Sequence, residues 1–132
     1  MIILDASAAV EWLMDSPVGQ NISKRLSAAG REFHAPHLLD LEVAQAFRRM
    51  VNKRFVSEHR AEQALENLAD SRCVRHSHYL LLPRIWELRD NMSAYDAAYV
   101  ALAEELGIVM ITCDSRLASA PGHLARVDLI RA

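Results

Sequence analysis

The sequence predicts an α/β fold built on a short, mostly parallel central sheet, and three observations carry that expectation. Short apolar runs alternate with helical stretches along the chain, and the helical stretches outnumber the runs. Two aspartates, Asp5 and Asp114, follow the first run (2–4) and the clearest late run (108–112), each just before a helical stretch. Strands joined by helices favour parallel pairing through right-handed crossovers. In such folds ligands bind beyond the carboxyl ends of the strands, so the residues after each strand are the ones to weigh.

Taken in order, residues 2–4 form a short strand and residues 6–14 a helix that Asp5 is placed to cap. Ser16-Pro17 interrupts the chain, 18–29 is a second helix closed by Gly30, and 33–35 is a strand ended by Pro36. Leu39, Val43, Ala46, Phe47 and Met50 recur at helical spacing, and 57–69 repeats the pattern with Glu58, Glu62 and Glu66 on its outer face. Residues 73–76 read as a third strand, 80–89 as a helix, and 93–106 as a long helix with Gly107 as its C-cap. The strand 108–112, a short helix over 114–118, a turn at Pro121-Gly122 and a last strand over 127–130 complete the chain.

At 132 residues the chain is expected to be one domain, 1–132. A composition 52% hydrophobic and 24% charged, with four Gly and four Pro, excludes a disordered or low-complexity protein. Fifteen Lys+Arg against seventeen Asp+Glu, a net charge of −2, excludes a polybasic protein that holds nucleic acid by bulk charge, while leaving nucleic acid open as a substrate. Cys73 and Cys113 make no disulfide framework, and the first residues lack the pattern of a secretory signal. The longest unbroken apolar run, 97–103, is seven residues, well short of the ~18 that a membrane span requires. A cytoplasmic protein with no membrane partner is expected.

Four acids draw attention. Asp5 and Asp114 each suit a cap at a strand-to-helix junction. Asp96 lies in line with Tyr99, Val100 and Ala103 on a helix that is apolar all round, where a carboxylate needs a partner. A place in the first turn, favoured by the helix dipole, is its other reading. Glu42 sits on the shoulder of the stripe between Leu39 and Ala46, either turned inward or paired with Arg49; Asp40 points further away and reads as a first-turn residue. Two acids at strand ends would face two on inward helix surfaces, and like charges ~4 Å apart repel by about 4 kcal/mol at an effective dielectric near 20. Such a cluster has raised pKa values or holds cations. An all-oxygen donor set selects Mg²⁺ or Mn²⁺, ions that keep waters for a phosphate to displace, which is the chemistry of phosphodiester hydrolysis. The hydroxyls of Ser7 and Thr112 stand beside the strand-end acids, where they either hold the site or make local hydrogen bonds.

Asp5-Ala6-Ser7 after the first strand, Glu42 in LLDLEVAQAFRR, Asp96 in SAYDAAYVALAEELG and Asp114 in ITCDSRLA resemble the ordered acidic motifs of PIN-domain ribonucleases. The closest resemblance is to VapC-type toxins of bacterial toxin–antitoxin pairs, and it spans essentially the whole chain. It implies a three-layer α/β/α sandwich, Mg²⁺- or Mn²⁺-dependent endoribonuclease activity, a homodimer, and inhibition by a small cognate antitoxin. By motif match Asp5, Glu42, Asp96 and Asp114 form the acidic site, with Ser7 and Thr112 in support. Asp5, Asp96 and Asp114 are the expected metal ligands, with Glu42 acting through water; the resemblance leaves open which acids touch the metal directly and whether Asp114 acts only through water.

Two other classes compete: a non-catalytic PIN-like module that binds RNA or a partner, and a signalling receiver domain. A receiver needs paired acids after its first strand and a late lysine, whereas Asp5 precedes Ala6 and the only lysines are Lys24 and Lys53. Arg48, Arg49, Lys53 and Arg54 spread around their helix, so Arg116 and Arg89 are the better-placed cations. Cys73, His76 and His78 fall short of a four-ligand zinc site, and no spacing ties His34 or His37 to them. Trp12, Trp86, Tyr95 and Tyr99 are expected in the core or an interface.

Overall fold

The centre of the molecule is a strand of three buried apolar residues, β1 (Ile2–Leu4). The computed structural model describes residues 1–131, in which β1 is joined by β2 (Glu32–Pro36), β3 (Arg72–His76), β4 (Val109–Thr112) and β5 (Val127–Leu129). The sheet order is β3-β2-β1-β4-β5 and every pairing is parallel. The helices are α1 (Ala6–Met14), α2 (Pro17–Ala28), α3 (Leu38–Asn52), α4 (Glu58–Asp70), α5 (Leu82–Glu87), α6 (Ala94–Leu106) and α7 (Ser115–Ser119). Strands β1, β2 and β3 step one way along the sheet, and β4 and β5 lie on the other side of β1. Right-handed connections therefore put α1–α4 over one face and α5–α7 over the other, the expected three layers. Contacts among α1, α2, α3 and α4, and of α5 with α6, agree with this division.

Local chemistry accounts for the elements. Ser16 caps α2 by accepting from the Gly19 N–H at 3.0 Å, and Pro17 starts that helix one residue earlier than expected, where its missing N–H costs nothing. Residues 97–103 are buried throughout, as a helix apolar on all sides requires. Gly107 ends α6 at φ +65°, a left-handed conformation that glycine adopts without strain. The helix expected over 80–89 is divided: a 3₁₀ turn at Tyr79–Leu81 precedes α5, whose first turn holds Pro83. Proline is tolerated there because first-turn N–H groups have no partner within the helix. Arg84 makes a bidentate ion pair with Glu104 at 2.8 and 2.9 Å, fixing α5 on α6, and also donates to the Gly122 carbonyl at 3.3 Å.

The sheet also unites two histidines that sequence spacing left apart. In the β2–β3 register His34 faces Val74 and Pro36 faces His76, so both imidazoles project from one face, with His34 Nδ1 2.9 Å from His76 Nε2. One ring must accept in this hydrogen bond and is therefore neutral. His78 lies beyond the end of β3 and does not share the strand face. Burial, and then the neighbouring His34 and His37, hold the His76 pKa below its ordinary value of 6.5. A histidine that binds its proton more weakly when folded contributes stability that is full above the unfolded pKa and is lost as pH falls toward the folded one. Urea unfolding at pH 7.5 and pH 5 should thus show a loss of stability on acidification that is smaller in His76→Gln; an equal loss in both proteins would exclude the pair as its source.

Candidate active site

Strand order reverses between β1 and β4, and a crevice opens beyond the carboxyl ends of strands at such a point. Asp5 leaves β1 there and Asp114 follows β4. Asp5 is only 5% exposed yet fully satisfied: Oδ1 accepts from the Ala8 N–H at 2.9 Å and the Ser7 hydroxyl at 2.7 Å, while Oδ2 accepts from the Thr112 hydroxyl. The hydroxyl oxygens accept in turn, Ser7 from the Cys113 N–H and Thr112 from the Asp114 N–H, both at 3.0 Å. Both hydroxyl protons thus point at Asp5, and the 3.3 Å approach between Ser7 Oγ and Thr112 Oγ1 is a contact between two oxygens already committed. The cap reading of Asp5 is correct, and the same carboxylate ties β1 to β4.

The remaining acids arrive from separate elements. Asp114 caps α7 by accepting from the Arg116 N–H at 2.9 Å, and Asp96 stands in the first turn of α6, where Ser93 is the cap. Glu42 comes from α3, and its hydrogen-bond partner is the hydroxyl of Tyr99 on α6 at 2.8 Å, in place of the Arg49 pairing that the sequence left open. Asp40 is taken by Arg75, which donates to both its oxygens at 2.6 and 2.9 Å. The structure thereby separates the two neighbouring acids of α3: Asp40 serves β3, and Glu42 turns to the cluster.

Burial raises the pKa of Asp5, Glu42 and Asp96, and their mutual repulsion adds to it. The charge of Asp96 pushes up Asp5 and Glu42, that of Asp5 pushes up Glu42, and that of Asp114 pushes up Asp96. Asp96 is therefore the acid that senses or is sensed by each of the other three. A cleft of about 370 Å³ opens beside it, lined by Asn91, Ser93, Asp96, Asp114 and Arg116 among others. Gly122 forms part of its surroundings: a Cβ there would stand 1.9 Å from the Asn91 amide nitrogen. Arg116 is 93% free of side-chain cover, 3.9 Å from Asp114. Arg89 is engaged elsewhere, its guanidinium 4.7 Å over the ring of Trp86 and donating to the Trp86 carbonyl. Tyr99 is core, as expected, but Trp86 and Tyr95 are 67% and 66% exposed, so a core place for these two is excluded.

A family model described as PIN domain matches residues 2–122. The chain belongs to the PIN-domain family. Its relatives include ribonuclease VapC12 of Mycobacterium tuberculosis, 40% identical over 130 residues that cover 98% of this chain and 99% of that one. VapC ribonuclease Mb0985 of Mycobacterium bovis is 42% identical over 117 residues, covering 89% and 88%. Ribonuclease VapC1 of Mycobacterium tuberculosis is 39% identical over 130 residues, covering 98% and 97%. At these identities and coverages it is a VapC-type PIN protein. The crystal structure of PAE2754 from Pyrobaculum aerophilum shares the fold, with a TM-score of 0.72 at 21% identity over 97% of this chain and 83% of that one.

The donor chemistry of this PIN site, four carboxylates and two hydroxyls, suits a hard cation. Among the described residues no three His, Cys, Asp or Glu side chains converge closely enough to cage an ion. Mg²⁺ does not require a cage, since it binds through one or two carboxylates and retains several waters. Crowded acids have a thermal signature as well. A carboxyl group whose pKa is raised by folding contributes stability at low pH that is lost as pH climbs past its ordinary value, so at neutral pH the folded chain carries the penalty. In EDTA at pH 7, Asp96→Asn should raise the melting temperature by roughly 2–5 °C. Asp5→Ala should lower stability by about 1–3 kcal/mol, because it removes a helix cap and strands the buried Thr112 hydroxyl and the half-buried Ser7 hydroxyl. Calorimetry that found the same sign for both variants would contradict this division of roles.

Proposed function

We propose that the chain is an endoribonuclease dependent on Mg²⁺ or Mn²⁺, the toxin of a toxin–antitoxin pair, which hydrolyses RNA phosphodiesters with an activated water. The observation that carries this reading is the electrostatic coupling of four acids from separate parts of the chain, in which Asp96 acts on Asp5 and Glu42, and Asp114 acts on Asp96, beside the switch point of the sheet. The names of relatives that match nearly the whole chain support RNA as the substrate.

Asp5, Asp96 and Asp114 would hold the ion, one or two of them directly and the rest through the waters it retains, and Glu42 would act through water. When bound, the ion lowers the pKa of a water and offsets charge that builds on the phosphate. The protein's own part is geometric and electrostatic. Ser7 and Thr112 hold the Asp5 carboxylate in one orientation, in which Oδ2, with Thr112 as its one donor, keeps a lone pair for a further partner. Glu42, half-buried, with its pKa raised by burial and by Asp96 and Asp5, is suited to taking a proton from the attacking water. Arg116 lines the cleft beside Asp96 and Asp114 and presents a guanidinium fork to the RNA backbone.

The same reading includes a homodimer, a cognate antitoxin and a cytoplasmic location. Tyr79, Leu80, Leu82 and Trp86 are exposed along the 3₁₀ turn and α5, an apolar face of the kind a second copy covers. No helix among the described residues is long and apolar enough to cross a membrane.

Purified protein should cleave RNA with Mg²⁺ or Mn²⁺ and lose that activity in EDTA. Asp5→Ala and Asp96→Ala should each reduce it by at least about a hundredfold, whereas Asp40→Asn, whose acid serves Arg75, should stay within about twofold. Cleavage unaffected by EDTA or by either alanine variant would reject the reading in favour of a non-catalytic binding module. Expression of the wild type alone should arrest growth, and the Asp5→Ala form should not; equal toxicity would count against nuclease action.

A further inference from the structure

Tyr99 is the largest fully buried side chain of the protein, 1% exposed, and its hydroxyl is spent on an acid from the opposite helical layer. Glu42 belongs to α3, over one face of the sheet, and Tyr99 to α6, over the other; their 2.8 Å hydrogen bond joins the two layers. Asp5 and Asp114 need no such help, because the backbone of adjacent strands delivers them and neighbouring hydroxyl and N–H groups hold them. Among the described residues Glu42 has no side-chain hydrogen-bond partner besides Tyr99, and a glutamate has three rotatable bonds through which to swing away.

Asp96 and Tyr99 are three residues apart on α6, so both project from one side of that helix. One rigid, buried rod thus brings an acid to the site directly and orients a second acid through a phenol. We infer that Tyr99 is a positioning residue for Glu42: its hydroxyl fixes the carboxylate toward Asp5 and Asp96, and the ring anchors that hydroxyl in the core. This rests on the nuclease reading given above, and it assigns a role that packing alone would not require, since a phenylalanine would fill the same volume without the hydrogen bond.

The test is a double-substitution cycle of Tyr99→Phe and Glu42→Ala, read three ways: kcat and KM for RNA cleavage, Mn²⁺ affinity by EPR titration without RNA, and thermal unfolding. Tyr99→Phe should lower kcat or Mn²⁺ affinity by about 10- to 100-fold, the usual effect of removing a partner that orients a site carboxylate, with KM for RNA within about twofold. In the Glu42→Ala background the same substitution should change neither quantity by more than about twofold, because the group it acts through is gone. Equal losses in both backgrounds would overturn the inference and reduce Tyr99 to a packing residue, as would wild-type kcat and Mn²⁺ affinity in Tyr99→Phe. A wild type that neither cleaves RNA nor responds to Mn²⁺ would remove the nuclease reading itself, and this inference with it. A wild type that does both beside an unaffected Tyr99→Phe would remove the inference alone.

Discussion

Two hydroxyl protons, from Ser7 and Thr112, converge on the buried carboxylate of Asp5, and the geometry of the carboxyl end of the sheet is referred to that point. Burying a carboxylate is tolerated only when its oxygens are satisfied. Here three donors, two from the first turn of α1 and one from the end of β4, satisfy it, and in doing so they fix β1 against β4 where the strand order reverses. The same network seats Cys113 and Asp114, whose N–H groups donate to the two hydroxyl oxygens, so the exit of β4 is set by the exit of β1.

Around this anchored acid the protein accepts repulsion. Asp96 arrives from α6 and Glu42 from α3, each partly buried; the charge of Asp96 raises the pKa of both Asp5 and Glu42, and that of Asp5 raises the pKa of Glu42. The net charge of −2 hides this arrangement. Without Asp5, Glu42, Asp96 and Asp114 the chain would have fifteen basic residues against thirteen acidic ones, so the acidity is local, set in a mildly basic remainder. A divalent cation would relieve the crowding, and a PIN-type nuclease would then have charge where a phosphate needs it.

Much of the site was legible because it lies where secondary structure and chemistry coincide. Asp5 and Asp114 follow apolar runs, and Asp96 enters a helix too apolar to leave a carboxylate unexplained. Glu42 was legible only as a position on the shoulder of a stripe, with Asp40 as a rival two residues away. What separates them is Arg75 on β3, which reaches Asp40 from 35 positions along the chain. The second task of Tyr99 was masked because a buried tyrosine in an apolar helix satisfies every local rule of a core residue. Its hydroxyl partner is supplied by an element 57 positions away.

The sequence by itself determined the order of strands and helices and the helix caps at Asp5, Gly107 and Asp114, and it singled out four acids as candidates, because periodicity and capping act over a few residues. Tertiary structure decided the rest. Parallel pairing brought His34 beside His76, the 3₁₀ turn and Pro83 divided one expected helix, and the meeting of α3 with α6 gave Glu42 a tyrosine instead of an arginine. Each of these depends on the register of strands and the packing of layers, and those follow from burying one shared core rather than from any local run of residues.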